Sequence, residues 1–124
     1  MLPDDAVDRI AEGCRQIGAL CKSQGIEQWE VVATQSYGHS IDIEAGKISL
    51  AAGGGEGGYG VRVVEDGRFG YAYLVDLSSA EYALKQARDI AKASPSVAGF
   101  VLPSEQPAEK VGGLFDTNIL NIGP

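Results

Sequence analysis

Residues 41–74 read IDIEAGKISLAAGGGEGGYGVRVVEDGRFGYAYL, and the reading of this stretch decides the fold. Ile41 and Ile43 alternate with Asp42 and Glu44, and Ile48 and Leu50 alternate with Lys47 and Ser49. A period of two marks a half-buried strand, apolar on one side and polar on the other. Glu44-Ala45-Gly46-Lys47 supplies the turn between the two runs, because glycine accepts the positive φ that a tight turn needs. Further on, Val61 and Val63 stand against Phe69, Tyr71 and Tyr73 across Asp66-Gly67. Asp-Gly between alternating apolar residues is among the strongest short-range hairpin signals. The expectation is two hairpins, four antiparallel strands, joined by the glycine-rich link Gly53–Gly58.

Upstream, Trp29–Tyr37 reads as a further strand, with Trp29, Val31 and Ala33 on one face and Gly38 as its break. Before it, Asp4 to Gln24 reads as an amphipathic helix. Val7, Ile10, Cys14, Ile17 and Cys21 recur at spacings of three and four, which is one helical stripe. Pro3 suits the first turn, Asp4, Asp5 and Asp8 favour the positive N-terminal end, and Gly25 supplies a left-handed stop. Downstream, Ser78-Ser79-Ala80-Glu81 reads as a capping box, with Leu77 and Tyr82 placed as a hydrophobic staple. Ala83, Ala87, Ile90 and Ala91 then form a stripe whose small side chains imply close approach to the sheet, and Pro95 ends the helix. The fold expected is α+β: a largely antiparallel four- to five-stranded sheet with two helices on one face, in the order α-β-β-β-β-β-α.

The chain has 124 residues, 44% of them hydrophobic, and a formal net charge of −7. This is the composition of one globular domain. Arg and Lys are scattered, and without a basic patch direct nucleic-acid binding is disfavoured. No apolar run approaches the length of a membrane span and no signal segment opens the chain, so a cytoplasmic protein is expected. Cys14 and Cys21 lie two helical turns apart, about 10 Å along the axis, too far for a disulfide and wrongly spaced for zinc. They read as core thiols. The acidic start Asp4-Asp5-Asp8 reads as a solvated helix end rather than a metal site.

Few residues invite chemistry. Gly55-Glu56-Gly57-Gly58-Tyr59-Gly60 matches G-x-G-x-x-G, but the dinucleotide fingerprint needs a helix after the glycines, and here the strand Val61–Val64 follows. A mobile or bulged link is the plainer reading, with Gly55, Gly57, Gly58 and Tyr59 as candidate interaction or flexible-link residues. His39, the single histidine, lacks partners for catalysis or zinc and reads as a turn or edge residue. Tyr59, Tyr71, Tyr73 and Phe69 could line an aromatic surface, though strands favour such residues for packing. No catalytic, cofactor-binding or metal-ligating set is assigned.

Gly58–Ala72, GYGVRVVEDGRFGYA, together with Asp76-Leu77-Ser78 opening the second helix and Leu114-Phe115-Asp116 near the end, resembles the N-terminal domain of the TldD/PmbA family, historically labelled modulators of DNA gyrase. The resemblance spans about residues 5–95. It implies an N-terminal domain over 1–95 and a Pro/Gly-containing connection over 96–124 toward a further region. It also implies a scaffold role in a homo- or hetero-oligomer of TldD/PmbA-like subunits, acting on a peptide or protein substrate in intracellular proteolysis. Catalytic members carry a His-Glu-x-x-x-His zinc motif that is absent here, so zinc is implied only for a full-length catalytic member. A non-catalytic partner type also exists. Two rivals stand beside this reading: a stand-alone module that takes a peptide on its sheet edge, and a small anion- or nucleotide-binding domain built on Gly53–Gly60.

Overall fold

The computed structural model describes residues 6–122, apart from the side chain of Leu120. Pro3, Asp4 and Asp5, expected at the helix start, lie outside the described residues. Helix α1 (Ala6–Ser23) buries Gly13, Ile17 and Cys21. Ile10 and Cys14 are half-buried, but Val7 is 68% exposed. The stripe identifies the packing face, but in the first turn Ala6, 3% exposed, is the buried residue in place of Val7. Gly25, at φ 66°, closes the helix, and the amide of Ile26 returns to the Cys21 carbonyl at 3.2 Å.

Three strands follow: β1 (Gln28–Glu44), β2 (Lys47–Glu65) and β3 (Arg68–Leu74), in the order β1-β2-β3 with both pairings antiparallel. Both connections are two-residue turns with positive φ at each position, Ala45 (49°) with Gly46 (74°) and Asp66 (53°) with Gly67 (69°). That geometry matches the natural twist of a hairpin. The turns therefore fall where expected, but the strand count does not. Four to five strands become three, because Gly38 does not break the first strand and Gly53–Gly58 does not link two hairpins.

Register gives the reason. Gln35 stands opposite Gly57, Tyr37 opposite Gly55 and His39 opposite Gly53. A side chain added at Gly53 would collide with the His39 ring, and one at Gly55 would lie 3.3 Å from Tyr37. Large side chains on β1 lie across the bare backbone of Gly53, Gly55 and Gly57, all within one continuous strand. One irregularity, between Asp42 and Ile43, leaves Ser49 as the extra residue on β2.

A 3-10 turn (Leu77–Ser79) leads into helix α2 (Ala80–Ala93). The Asp76 carboxylate accepts from the Ser78 amide at 2.8 Å, and Ser79, the residue before α2, makes no side-chain cap. The expected Ser78–Glu81 box is thus replaced by an Asp76 cap, since the inserted turn moves Ser78 out of register with Glu81. The staple also fails, with Tyr82 65% exposed. Ala83, Leu84, Ala87 and Ala91 are the buried stripe, while Ile90 stays half out.

Both helices pack on one face of the sheet. The core joins Ile17, Cys21 and Ile26 to Tyr59, Val61, Val63, Ala72 and Leu74, and these to Ala83, Leu84, Ala87 and Ala91. Close approach of α2, implied by its alanines, occurs at Gly70, where an added Cβ would strike the Ala87 carbonyl oxygen and lie 2.6 Å from the Ala91 nitrogen. Arg88 clamps the same helix to β2 through two hydrogen bonds to Glu65, at 2.8 and 3.1 Å. On the other face, the chain after α2 turns back. The Val97 amide donates to the Gly67 carbonyl (2.8 Å), Phe100 stacks on Phe69 (5.5 Å between centroids), and the Leu102 amide donates to Gln28 Oε1 (2.8 Å). Val64 is buried at this end. Beyond Leu102 the only regular element among the described residues is a 3-10 turn at Thr117–Asn121, and Val111, Leu114, Phe115, Ile119 and Ile122 are exposed.

Candidate interaction surface

β3 pairs with β2 only from Tyr59 to Glu65, whereas β1 and β2 remain paired out to Glu44 and Lys47. From Thr34 and Gly58 outward the sheet is therefore a two-stranded ribbon, about 34 Å long at the rise of an extended strand. Nearly every residue of it is exposed. Its tip carries Ile41, Ile43, Ile48 and Leu50, each 46–66% exposed. Tyr37 and His39 meet edge to face, 5.2 Å between centroids at 85°. A shallow concavity at the base is lined by Thr34, Ser36, Gly55, Glu56, Gly57, Tyr73 and Val75.

The four candidate link residues part company here. Gly55 is exposed on the ribbon, and Gly57 is half-covered where the ribbon meets the sheet. Gly58 is buried, with the Tyr73 ring lying where a Cβ would project. Tyr59 is 9% exposed and packs over Gly13 of α1 in the core. Tyr59 consequently points away from Phe69, Tyr71 and Tyr73, and the four do not form one aromatic surface; the latter three are 42–55% exposed on the opposite face. An anion cradle at Gly53–Gly60 is likewise contradicted. In a strand, amides alternate between the two edges, each set about 7 Å apart, and do not converge on one ligand.

Chemistry elsewhere is quiet. Burial pushes the Cys21 thiol up to about 11 and raises that of Cys14 as well, so neither is an activated nucleophile. Among the described residues no three His, Cys, Asp or Glu side chains come together to hold a metal ion, and no helix is long and apolar enough to cross a membrane. Sequence reasoning missed the ribbon. Its signal was the unbroken alternation Gln35, Tyr37, His39, Ile41, large residues at every second position of one strand, facing a run of glycine and alanine in the next.

Residues 29–91 match the family described as PmbA/TldA metallopeptidase domain 1. Among solved structures, TldE from Thermococcus kodakarensis matches with a TM-score of 0.71 at 19% identity, over 87% of this chain and 25% of that one. This chain thus spans about a quarter of the length of TldE. A search of curated proteins found no match. The family match covers both hairpin turns, the outer ribbon and nearly all of α2. The chain belongs to the PmbA/TldD family and carries its first domain.

Proposed function

We propose that this chain is the assembly domain of a PmbA/TldD-type protein that takes part in intracellular, cytoplasmic proteolysis, and that it holds no active site of its own. The observation that carries this reading is the ribbon: a three-stranded body extends a long pair of strands whose outer edges pair with no other strand among the described residues. Extended edges of that kind are normally protected, and an unprotected one favours strand addition by another chain. The family's metallopeptidase title implies a metal, but the described residues do not fit one. His39 stands beside Tyr37 and the backbone of Gly53, and among the described residues no three His, Cys, Asp or Glu side chains gather as a metal site. No catalytic step is assigned to these residues.

Two measurements test the reading together. The chain is incubated with zinc and a fluorogenic peptide mixture, and it is separately purified from its native cells with bound proteins identified by mass spectrometry. The expected result is no hydrolysis and enrichment of a PmbA/TldD-family subunit. Zinc-dependent cleavage by the chain alone, or purification with no such subunit, would contradict it. The edge would also accept an extended peptide; saturable peptide binding by a chain that recruits no family subunit would favour that second reading.

A further inference from the structure

Gly38 is the one glycine of β1, and its register partner on β2 is Gly54. A Cβ built at either would meet nothing within 4 Å, so the face they share is bare across both strands at this step. The opposite face is filled. There the rings of Tyr37 and His39, 5.2 Å apart, straddle position 38 and lie over Gly55 and Gly53. Side chains tie the two strands together on either side of the glycine pair. Toward the body, Gln35 Nε2 and Ser36 Oγ both donate to the Glu56 carbonyl, at 3.2 and 3.4 Å. Toward the tip, Ser49 Oγ donates to the Asp42 carbonyl at 3.2 Å. β3 stops pairing at Tyr59, so two strands alone carry this part of the sheet.

Cross-strand side-chain pairs stabilise a sheet, and glycine in a strand removes the pair and adds backbone freedom. A two-stranded ribbon has little stability to spare for such a gap. Here the gap is on one face only. Bending toward the rings compresses Tyr37 and His39 against each other, whereas bending toward the bare face meets no side chain at this step. We infer that the Gly38–Gly54 pair is a hinge, about which the outer ribbon, residues 39–53, swings as a unit toward its bare face. That face is shared with the basal concavity, where the Tyr73 ring crosses Gly58 and Val75 stands beside Ser36 and Glu56.

The outer ladder stays paired through the motion, and only the bend and twist of one step change. The tip lies about 20 Å beyond the hinge, so a bend of about 20° carries it roughly 7 Å. An arm of this kind meets an assembly partner at more than one angle while the body below it stays rigid. The hinge is a property of the chain by itself and holds whichever partner the edge takes.

Backbone amide residual dipolar couplings, measured on the chain in a dilute aligning medium, test the hinge because they average orientation over motions up to milliseconds. The body, residues 6–34 and 57–93, is expected to fit one alignment. The outer ribbon is expected to fit a second, smaller by at least about a tenth for a bend of this size, with its mean axis tilted toward the Tyr73 face. Gly38→Thr with Gly54→Thr fills the open space on the bare face, and neither glycine has a positive φ that threonine would strain. Threonines directly opposite form a favourable cross-strand pair, so this variant is expected to return both parts to a single alignment. Urea midpoints check that it folds. A single alignment in the wild-type chain would overturn the hinge. Couplings that shrink gradually from Ser36 to Ile43, with no step at Gly38, would overturn its position. A mean tilt toward the Tyr37 and His39 face would overturn its direction. Two alignments persisting in the threonine variant would overturn the glycine pair as its cause.

Discussion

Replacing Gly70 by alanine asks how tightly the second helix is seated. The added methyl would strike the Ala87 carbonyl oxygen and lie 2.6 Å from the Ala91 nitrogen and 2.9 Å from the Ala87 carbonyl carbon. Carbon prefers neighbours at about 3.5–4 Å, so α2 must retreat by roughly 1 Å. No flexible side chain can yield instead, because every atom met is backbone. The retreat loosens Ala83, Leu84, Ala87 and Ala91, each no more than 3% exposed. Overpacking of a core costs about 1–3 kcal/mol, and a backbone clash belongs at the upper end. Against this, alanine restricts the unfolded chain and recovers about 0.5–1 kcal/mol. The net expectation is a loss of about 2 kcal/mol, or roughly 10 °C in Tm for a domain of this size. Urea unfolding followed by Trp29 fluorescence measures it. Gly54→Ala is the control, since nothing lies within 4 Å of its added methyl, and it should stay within about 0.5 kcal/mol of wild type. A Gly70→Ala protein as stable as wild type, or a Gly54→Ala protein equally damaged, would refute the packing argument.

Arg88→Ala should lower stability by about 1–2 kcal/mol, and Arg88→Lys should recover less than half of that in urea midpoints, because one ammonium cannot reproduce both hydrogen bonds to Glu65. Cys21 is held protonated by burial, with its folded value raised from 9.0 to about 11. Its contribution is fully present below pH 9 and is lost as pH rises from 9 through 11, so the alkaline decline in stability should be shallower in Cys21→Ala than in wild type. Hydrogen bonds from the Ser78 backbone and side chain lower the Asp76 carboxyl below its usual value of 3.8. Asp76→Ala should weaken the entry to α2, and the contribution of Asp76 in wild type should persist above pH 3.8 and fade as pH falls below it; melting curves between pH 2 and 5 check the sign.

The two hairpin turns were legible because each needs positive φ, which Gly46 and Asp66-Gly67 advertise locally, although Ala45 at φ 49° gives no such signal. The close seating of α2 was legible from its alanines. The continuity of β1 and β2 was not, since a glycine run in isolation looks like a link. What makes it a strand is the covering side chain on the neighbour, His39 over Gly53 and Tyr37 over Gly55, which depends on register rather than on local propensity. The helix start was misassigned for a related reason. Asp76 and Ser78 are both competent caps, and only the intervening 3-10 turn selects Asp76. Stripe periodicity found the packed faces of both helices but not their extent, leaving Val7 and Ile90 outside the core. At the candidate surface, Gly55 and Gly57 do belong to the projecting ribbon, whereas Gly58 and Tyr59 are absorbed by packing.

Amide hydrogen exchange, recorded on the chain alone and again with its co-purified family subunit, tests most directly whether the ribbon edge is where the protein assembles. The account predicts that protection rises on binding at outward-facing amides of Val32–Glu44 and leaves the other free edge, Arg68–Leu74, unchanged. Protection that rises along β3, or at Leu114–Ile122 while β1 stays constant, would contradict it.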